Sequence, residues 1–181
     1  MMVKDDNELV LEVINGRSSS YGTLIERYQK TIFNIMLRLT GDYETARDLT
    51  QDVFVKAYEK LGSFNFRYRF FSWIYKLAIN EAINYNRKYS RKKSNENIDA
   101  YIDKVAENVT ENLQMNQLYA EISTLKIEYR VLVVLKYFCD FSYMEISEVT
   151  KVPERKVRSR LFSAREQLRQ GLIEKRFFEH E

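Results

Sequence analysis

Little in this 181-residue sequence supports tight turns, crosslinks or metal. Five glycines and one proline are few for a turn-rich fold, which favours an all-α chain over a β-rich one. A single cysteine, Cys139, excludes an intrachain disulfide. With a single histidine, His180, no His/Cys metal cluster can be assembled. No apolar run is long enough for a membrane helix or a signal peptide, and Asp5 and Asp6 make the N-terminus acidic. The reading is a cytoplasmic protein with no membrane insertion, no metal and no cofactor. What is present is 45% hydrophobic and 30% charged, with a formal net charge of only +3 that is unevenly spread.

Apolar residues recur at helical spacing from Tyr21 onward. Leu24, Tyr28, Ile32, Ile35 and Leu39 form one stripe of an amphipathic helix, which Gly41 stops. Asp42 is placed to cap a second helix, with Ala46, Leu49, Val53 and Ala57 on its core stripe and Phe54, Tyr58 and Leu61 beside it. Gly62 is placed to end that helix, and a third runs from about Ser72 to Lys88. Residues 89–112 then lose the large apolar groups and gain asparagines and acids (Glu96, Asp99, Asp103, Glu107, Glu111). This composition reads as an interdomain linker. Helical periodicity resumes near Leu113. The expected division is a domain over 1–92, a linker over 93–112 and a second domain over 113–181.

The clearest local pattern lies between Phe141 and Arg169. Ser142 followed by Glu145 fits a capping box, and Ile146 and Val149 give the helix behind it a buried side. After a short break, Pro153 stands where a helix can begin without a needed N–H, and a basic helix runs from about Glu154 to Gln170. Two short helices with a tight turn, the second basic, form a helix-turn-helix pattern. At about 100° per residue, Leu161, Ala164 and Leu168 fall within roughly 40° of Val157. Arg155, Ser159, Phe162 and Ser163 lie opposite, with Lys156 and Arg158 at the margins. Cations, a hydroxyl and a ring suit guanine edges, phosphates and thymine methyls in a major groove. Arg165 and Arg160 project at the edges of the core stripe, where phosphate contact or packing is more natural. Residues 151–176 hold nine Lys/Arg against three Glu, the electrostatic footprint of a nucleic-acid partner.

A second unusual stretch, Phe64 to Trp73, packs six aromatics and two arginines into ten residues at a helix entrance. Phe70 and Phe71 read as core. Asn65, Phe66, Arg67 and Tyr68 read as an exposed loop. In the helix, Trp73, Lys76, Asn80, Asn84 and Arg87 share one polar face, opposite the apolar arc of Ile74, Tyr75, Ala78, Ile79, Ala82, Ile83 and Tyr85. A ring, amides and cations on one surface suit unstacked bases and a single-strand backbone. Arg87, Lys88, Arg91, Lys92 and Lys93 extend it as a basic cluster.

Together these stretches resemble the extracytoplasmic-function sigma factors over nearly the whole chain. The resemblance is carried by Ala46-Arg47-Asp48-Leu49-Thr50-Gln51-Asp52-Val53-Phe54 and by the Trp-led helix from Phe71 to Arg87. In the second half it is carried by Tyr143-Met144-Glu145-Ile146, Pro153, Val157-Arg158-Ser159-Arg160-Leu161 and Ala164-Arg165 with Leu168. It implies two small helical domains, sigma2-like and sigma4-like, joined by a flexible linker. The first would bind the clamp helices of the polymerase large subunit through Asp48, Gln51, Asp52 and Phe54. It would also capture the melted minus-ten strand through Asn65, Phe66, Arg67, Tyr68, Trp73, Lys76, Asn80, Asn84 and Arg87. The second would dock on the polymerase flap and read duplex minus-thirty-five DNA through Arg155, Lys156, Arg158, Ser159, Phe162 and Arg165. An anti-sigma factor is the further partner implied, with the free protein a monomer.

The chain departs from the family pattern at four places. Arg47 stands where an acid is common, Arg155-Lys156 where Gly-Thr is frequent, Ser163 where a second Arg is frequent, and Asp140-Phe141 where a glycine is usual. A dimeric operator-binding regulator would explain residues 141–169 but not the Trp-led face, and no heptad seam is present for a dimer. A helical enzyme built on Asp48, Asp52, Glu44 and Glu145 lacks a nucleophile–base pair, so these acids read as surface carboxylates.

Overall fold

The computed structural model describes residues 4–93 and 113–178, and these form eight α-helices and one 3-10 turn. Helices α1 (Asp6–Ile14), α2 (Ser19–Thr40), α3 (Tyr43–Lys60) and α4 (Phe70–Lys93) build the first half. Helices α5 (Leu113–Thr124), α6 (Ile127–Tyr137), α7 (Tyr143–Thr150) and α8 (Glu154–Phe178) build the second. Among the described residues the fold is all-α, as the scarcity of glycine and proline indicates. The expected linker, apart from Lys93, lies outside the described residues.

Local chemistry places the helix ends. Gly41 closes α2 in the left-handed region at φ 74°, its N–H returning to the Leu37 carbonyl. Asp42 caps α3 by accepting from the Thr45 N–H at 2.8 Å. Gly62 lies inside the 3-10 turn Leu61–Ser63 that finishes α3, so the helix ends at Lys60, two residues sooner than the glycine alone indicates. Helix α4 starts at Phe70 and extends to Lys93, longer at both ends than its polar stripe marks. The sequence reading passed over α1, a nine-residue helix with an Asp5–Glu8 capping box that seats Leu9 and Val10 in the core. Asp6 ties it to α2 by accepting from both Arg27 and the Tyr28 hydroxyl.

The stripes become core. Leu24, Ile32, Ile35 and Leu39 of α2 are buried with Ala46, Leu49, Val53 and Ala57 of α3 and Ile74, Ala78, Ile79 and Ala82 of α4. Phe54 is buried too, at 7% exposure, and its carbonyl accepts from the Tyr21 hydroxyl. Tyr58, from the same flank of α3, is instead exposed. In the second half Val131 to Leu135, Ile146, Val149, Val157, Leu161 and Ala164 are buried.

The two halves pack on each other. Arg130 of α6, a cation only 7% exposed, donates to the carbonyl of Leu39 near the end of α2 at 2.8 Å. It also donates to the carbonyls of Ser123 and Leu125. Helix ends leave carbonyls unpaired and carry partial negative charge, so a cation there satisfies both. Arg38 of α2 donates to the Tyr119 hydroxyl at 3.2 Å, with its guanidinium 4.4 Å from the Phe138 ring centroid. Phe141, from the loop between α6 and α7, is 4% exposed, with ring centroids 5.4 Å from Tyr75 and 5.9 Å from Phe71.

Candidate nucleic-acid interface

The helix-turn-helix forms as its local signals require. Ser142 accepts from the Glu145 N–H while the Glu145 carboxylate accepts from the Ser142 N–H, a complete capping box at the start of α7. These bonds, the backbone one foremost, hold the Glu145 carboxyl below its ordinary range. Lys151 ends α7 in the left-handed region at φ 60°. Pro153 then offers its carbonyl to the N–H groups of Lys156 and Val157, which starts α8.

On α8 the buried side is Val157, Leu161 and Ala164, with Leu168 half-buried. Arg155, Lys156, Arg158, Ser159, Phe162 and Arg165 are all exposed, Phe162 at 59%. Arg160 is half-buried, in line with its place at the stripe edge. Arg158 is held in place. Its Nε and an Nη donate to one Glu154 oxygen at 3.1 and 2.6 Å, and its guanidinium lies 4.6 Å from the Tyr143 ring centroid. Tyr143 enters the sequence reading only as part of the segment that carries the resemblance; its place as a support for Arg158 comes from the ring it sets at the first position of the capped helix.

The aromatic segment divides as its chemistry suggests. Phe64 and Phe70 are buried, whereas Asn65, Phe66, Arg67, Tyr68 and Arg69 are exposed, Tyr68 at 62%. Trp73 is half-buried, braced edge-on by Phe64 at 5.4 Å and tilted against Phe70 at 5.6 Å. Beyond it Lys76 is half-buried and Asn80, Asn84, Arg87 and Lys88 are exposed, so the polar face is continuous. The side chains of Arg91, Lys92 and Lys93 lie outside the described residues. Between this face and α7 lies a cavity of about 350 Å³, lined by Asn65, Tyr68, Ser72, Trp73 and Lys76 on one side and Glu148 and Lys151 on the other. Its α7 wall has no counterpart in the sequence reading, because it arises from contact between halves remote in sequence.

On α3, Asp48, Gln51 and Asp52 are exposed, while Phe54 points into the core. Phe54 is therefore removed from the outward set expected to meet the polymerase. Val55, 58% exposed, stands on that face in its place. Arg47 pairs with Glu44 at 2.6 Å and approaches Asp48 at 3.7 Å. Among the described residues no group of His, Cys, Asp and Glu could hold a metal ion.

Two surfaces suited to bases, on two halves of one helical chain, narrow the choice of family. Residues 24–92 match Sigma-70 region 2, and residues 115–168 match Sigma-70, region 4. The chain belongs to the extracytoplasmic-function sigma factors. It is 29% identical to the ECF RNA polymerase sigma factor SigW of Bacillus subtilis over 95% of this chain and 97% of that one. It is 30% identical to the ECF RNA polymerase sigma-E factor of Escherichia coli over 89% of this chain and 91% of that one. The sigma fold also matches solved structures. These include the sigma factor RpoE with the anti-sigma factor NepR from Bartonella quintana, with TM-score 0.68 and 21% identity, covering 84% of this chain and 96% of that one. CnrH, solved with the cytosolic domain of CnrY, gives TM-score 0.70 and 19% identity, covering 92% and 96%. As a sigma factor the chain is a non-enzymatic component of transcription initiation, which sets aside the helical-enzyme and operator-dimer readings. Among the described residues no helix is long and apolar enough to cross a membrane.

Proposed function

We propose that this sigma factor binds core RNA polymerase and reads a promoter at two separate places. The domain over 1–92 takes the melted minus-ten strand on Asn65, Phe66, Arg67, Tyr68, Trp73, Lys76, Asn80, Asn84 and Arg87. The domain over 113–181 reads duplex minus-thirty-five DNA on Arg155, Lys156, Arg158, Ser159, Phe162 and Arg165. The observation that carries this is the chemical difference between the two faces. One combines exposed rings with amides and cations around a cavity, which suits unstacked bases. The other is a basic helix with an exposed N-terminal turn, which suits a major groove.

Asp48, Gln51 and Asp52, joined by Val55, form the polymerase-facing surface of α3, and the second domain docks on the flap. The carboxylates of Asp48 and Asp52 repel a phosphate backbone, which favours a protein partner over DNA on this face. The relatives solved with anti-sigma partners support a regulator of the same kind for this chain, which would act in the cytoplasm.

Run-off transcription with purified core polymerase on a promoter library tests the proposal. The expected outcome is a set of transcripts sharing two sequence elements. Absence of any promoter-specific transcript, with folded protein and active core, removes it.

A further inference from the structure

One ion pair on α8 is built differently from its surroundings. Glu154 occupies the first position of the helix, and Arg158 stands one turn later on the same side. Nε and Nη2 of Arg158 both donate to Glu154 Oε1, at 3.1 and 2.6 Å. Among the described residues nothing else bonds to Oε2 of that carboxylate or to Nη1 of that guanidinium. The centroid of the Tyr143 ring lies 4.6 Å from the guanidinium carbon and 5.1 Å from Lys136 Nζ, so α6 and α7 both help to hold the fork in place. The pair still faces solvent, with Arg158 62% and Glu154 43% exposed. By contrast, Arg169 and Glu166 further along the helix share a single contact at 3.3 Å.

A pair of zero net charge adds nothing to the attraction for phosphate, so its place on a strongly basic helix calls for another role. What it offers is direction. Nη2 keeps a second N–H and Nη1 keeps both, so the guanidinium presents a row of two donors, and Oε2 of Glu154 adds an acceptor beside them. Across a G·C pair the major groove presents two acceptors, guanine N7 and O6, followed by a donor, cytosine N4. The two rows are complementary. An A·T pair presents acceptor, donor and acceptor, which sets an Nη against adenine N6 and Oε2 against thymine O4. Both contacts are repulsive, and rejection of the wrong pair adds to attraction for the right one. The N-terminal end of a recognition helix is also the part that meets base edges.

We propose that Glu154 and Arg158 read a single G·C base pair of the minus-thirty-five element as one unit, Arg158 on the guanine and Glu154 on the N4 amino group of the cytosine. Glu154 is thereby a specificity-determining residue, outside the set of α8 residues assigned to that duplex above. This rests on the assignment of α8 to the minus-thirty-five duplex.

Run-off transcription with core polymerase, on promoters randomised across the minus-thirty-five element, reads the base preference. The wild type should favour G·C over A·T at one position by about tenfold or more. Glu154→Ala should reduce that preference to about threefold or less at this position alone. Arg158→Lys, which keeps the charge without the fork, should reduce it at the same position. Glu166→Gln should leave it unchanged. Fluorescence anisotropy of the holoenzyme on a labelled duplex of the recovered element, with pyrimidin-2-one in place of that cytosine, isolates the amino group. The wild type should lose about tenfold in affinity and Glu154→Ala about twofold or less. A wild type without such a G·C position overturns the proposal. So does an unmoved preference in Glu154→Ala, an equal loss at all positions, or a preference lost at different positions in the two variants. Wild-type transcripts that share no minus-thirty-five element overturn the promoter assignment instead, so the two failures are distinguishable. If circular dichroism shows one variant unfolded, the other variant and the pyrimidin-2-one duplex decide.

Discussion

Arg158 shows how a single residue can be legible in type but not in setting. The helical wheel places it at the edge of the face opposite the core stripe, and the structure exposes it there. The sequence did not reveal that Glu154 and Tyr143 pre-arrange its guanidinium, because a ring stacked from a neighbouring helix leaves no spacing signal. A fork already oriented loses less freedom on binding, so Arg158→Ala should weaken minus-thirty-five duplex binding by about 1–3 kcal/mol. Arg160→Ala, at a half-buried edge, should cost less. Fluorescence anisotropy with one duplex checks this, and equal losses contradict the assignment. Cys139 offers a different reading at the same scale. Burial pushes its thiol up to about 11, with Arg38 drawing it down only in part. Alkylation by iodoacetamide at pH 8 should therefore run about a hundredfold slower than for a free thiol, accelerating as pH rises toward 11.

At the scale of elements, the capped helix α7 was the most legible part of the chain, since a capping box is a local pattern and needs no tertiary context. Ser142→Ala should destabilise the second half by about 1 kcal/mol at pH 7. The Glu145 carboxyl is held low in the folded state, so its share of that stability is complete above its ordinary value of 4.5 and is lost as pH falls through the lowered one. The cost of Ser142→Ala, followed by urea unfolding, should thus shrink below about pH 4. Helix α1 was illegible for the converse reason. Nine residues with two buried side chains make a weak stripe, and its anchoring to Arg27 and Tyr28 of α2 is tertiary. Phe54 misled similarly. Resemblance placed it among partner-facing residues, whereas its position beside the core stripe of α3 turns the ring inward.

Across the whole molecule, composition and periodicity identified two helical halves but not their contact. Arg130, Arg38 and Phe141 carry no pattern that distinguishes an interface from a surface, because the groups they meet lie far away in sequence. A shared apolar and hydrogen-bonded interface couples the stabilities of the two halves. Calorimetry of the intact chain should therefore show one unfolding transition, and Phe141→Ser should separate it into two. Two transitions in the wild type would count against the coupling. The same interface also has a history in time. Arg130 follows Leu39 by 91 residues, and chains emerge from the ribosome at about 5–20 residues per second. For about 5 to 18 seconds the nascent first half exists with the Leu39 carbonyl not yet reached by Arg130, so the core of its own four helices has to hold without that interface.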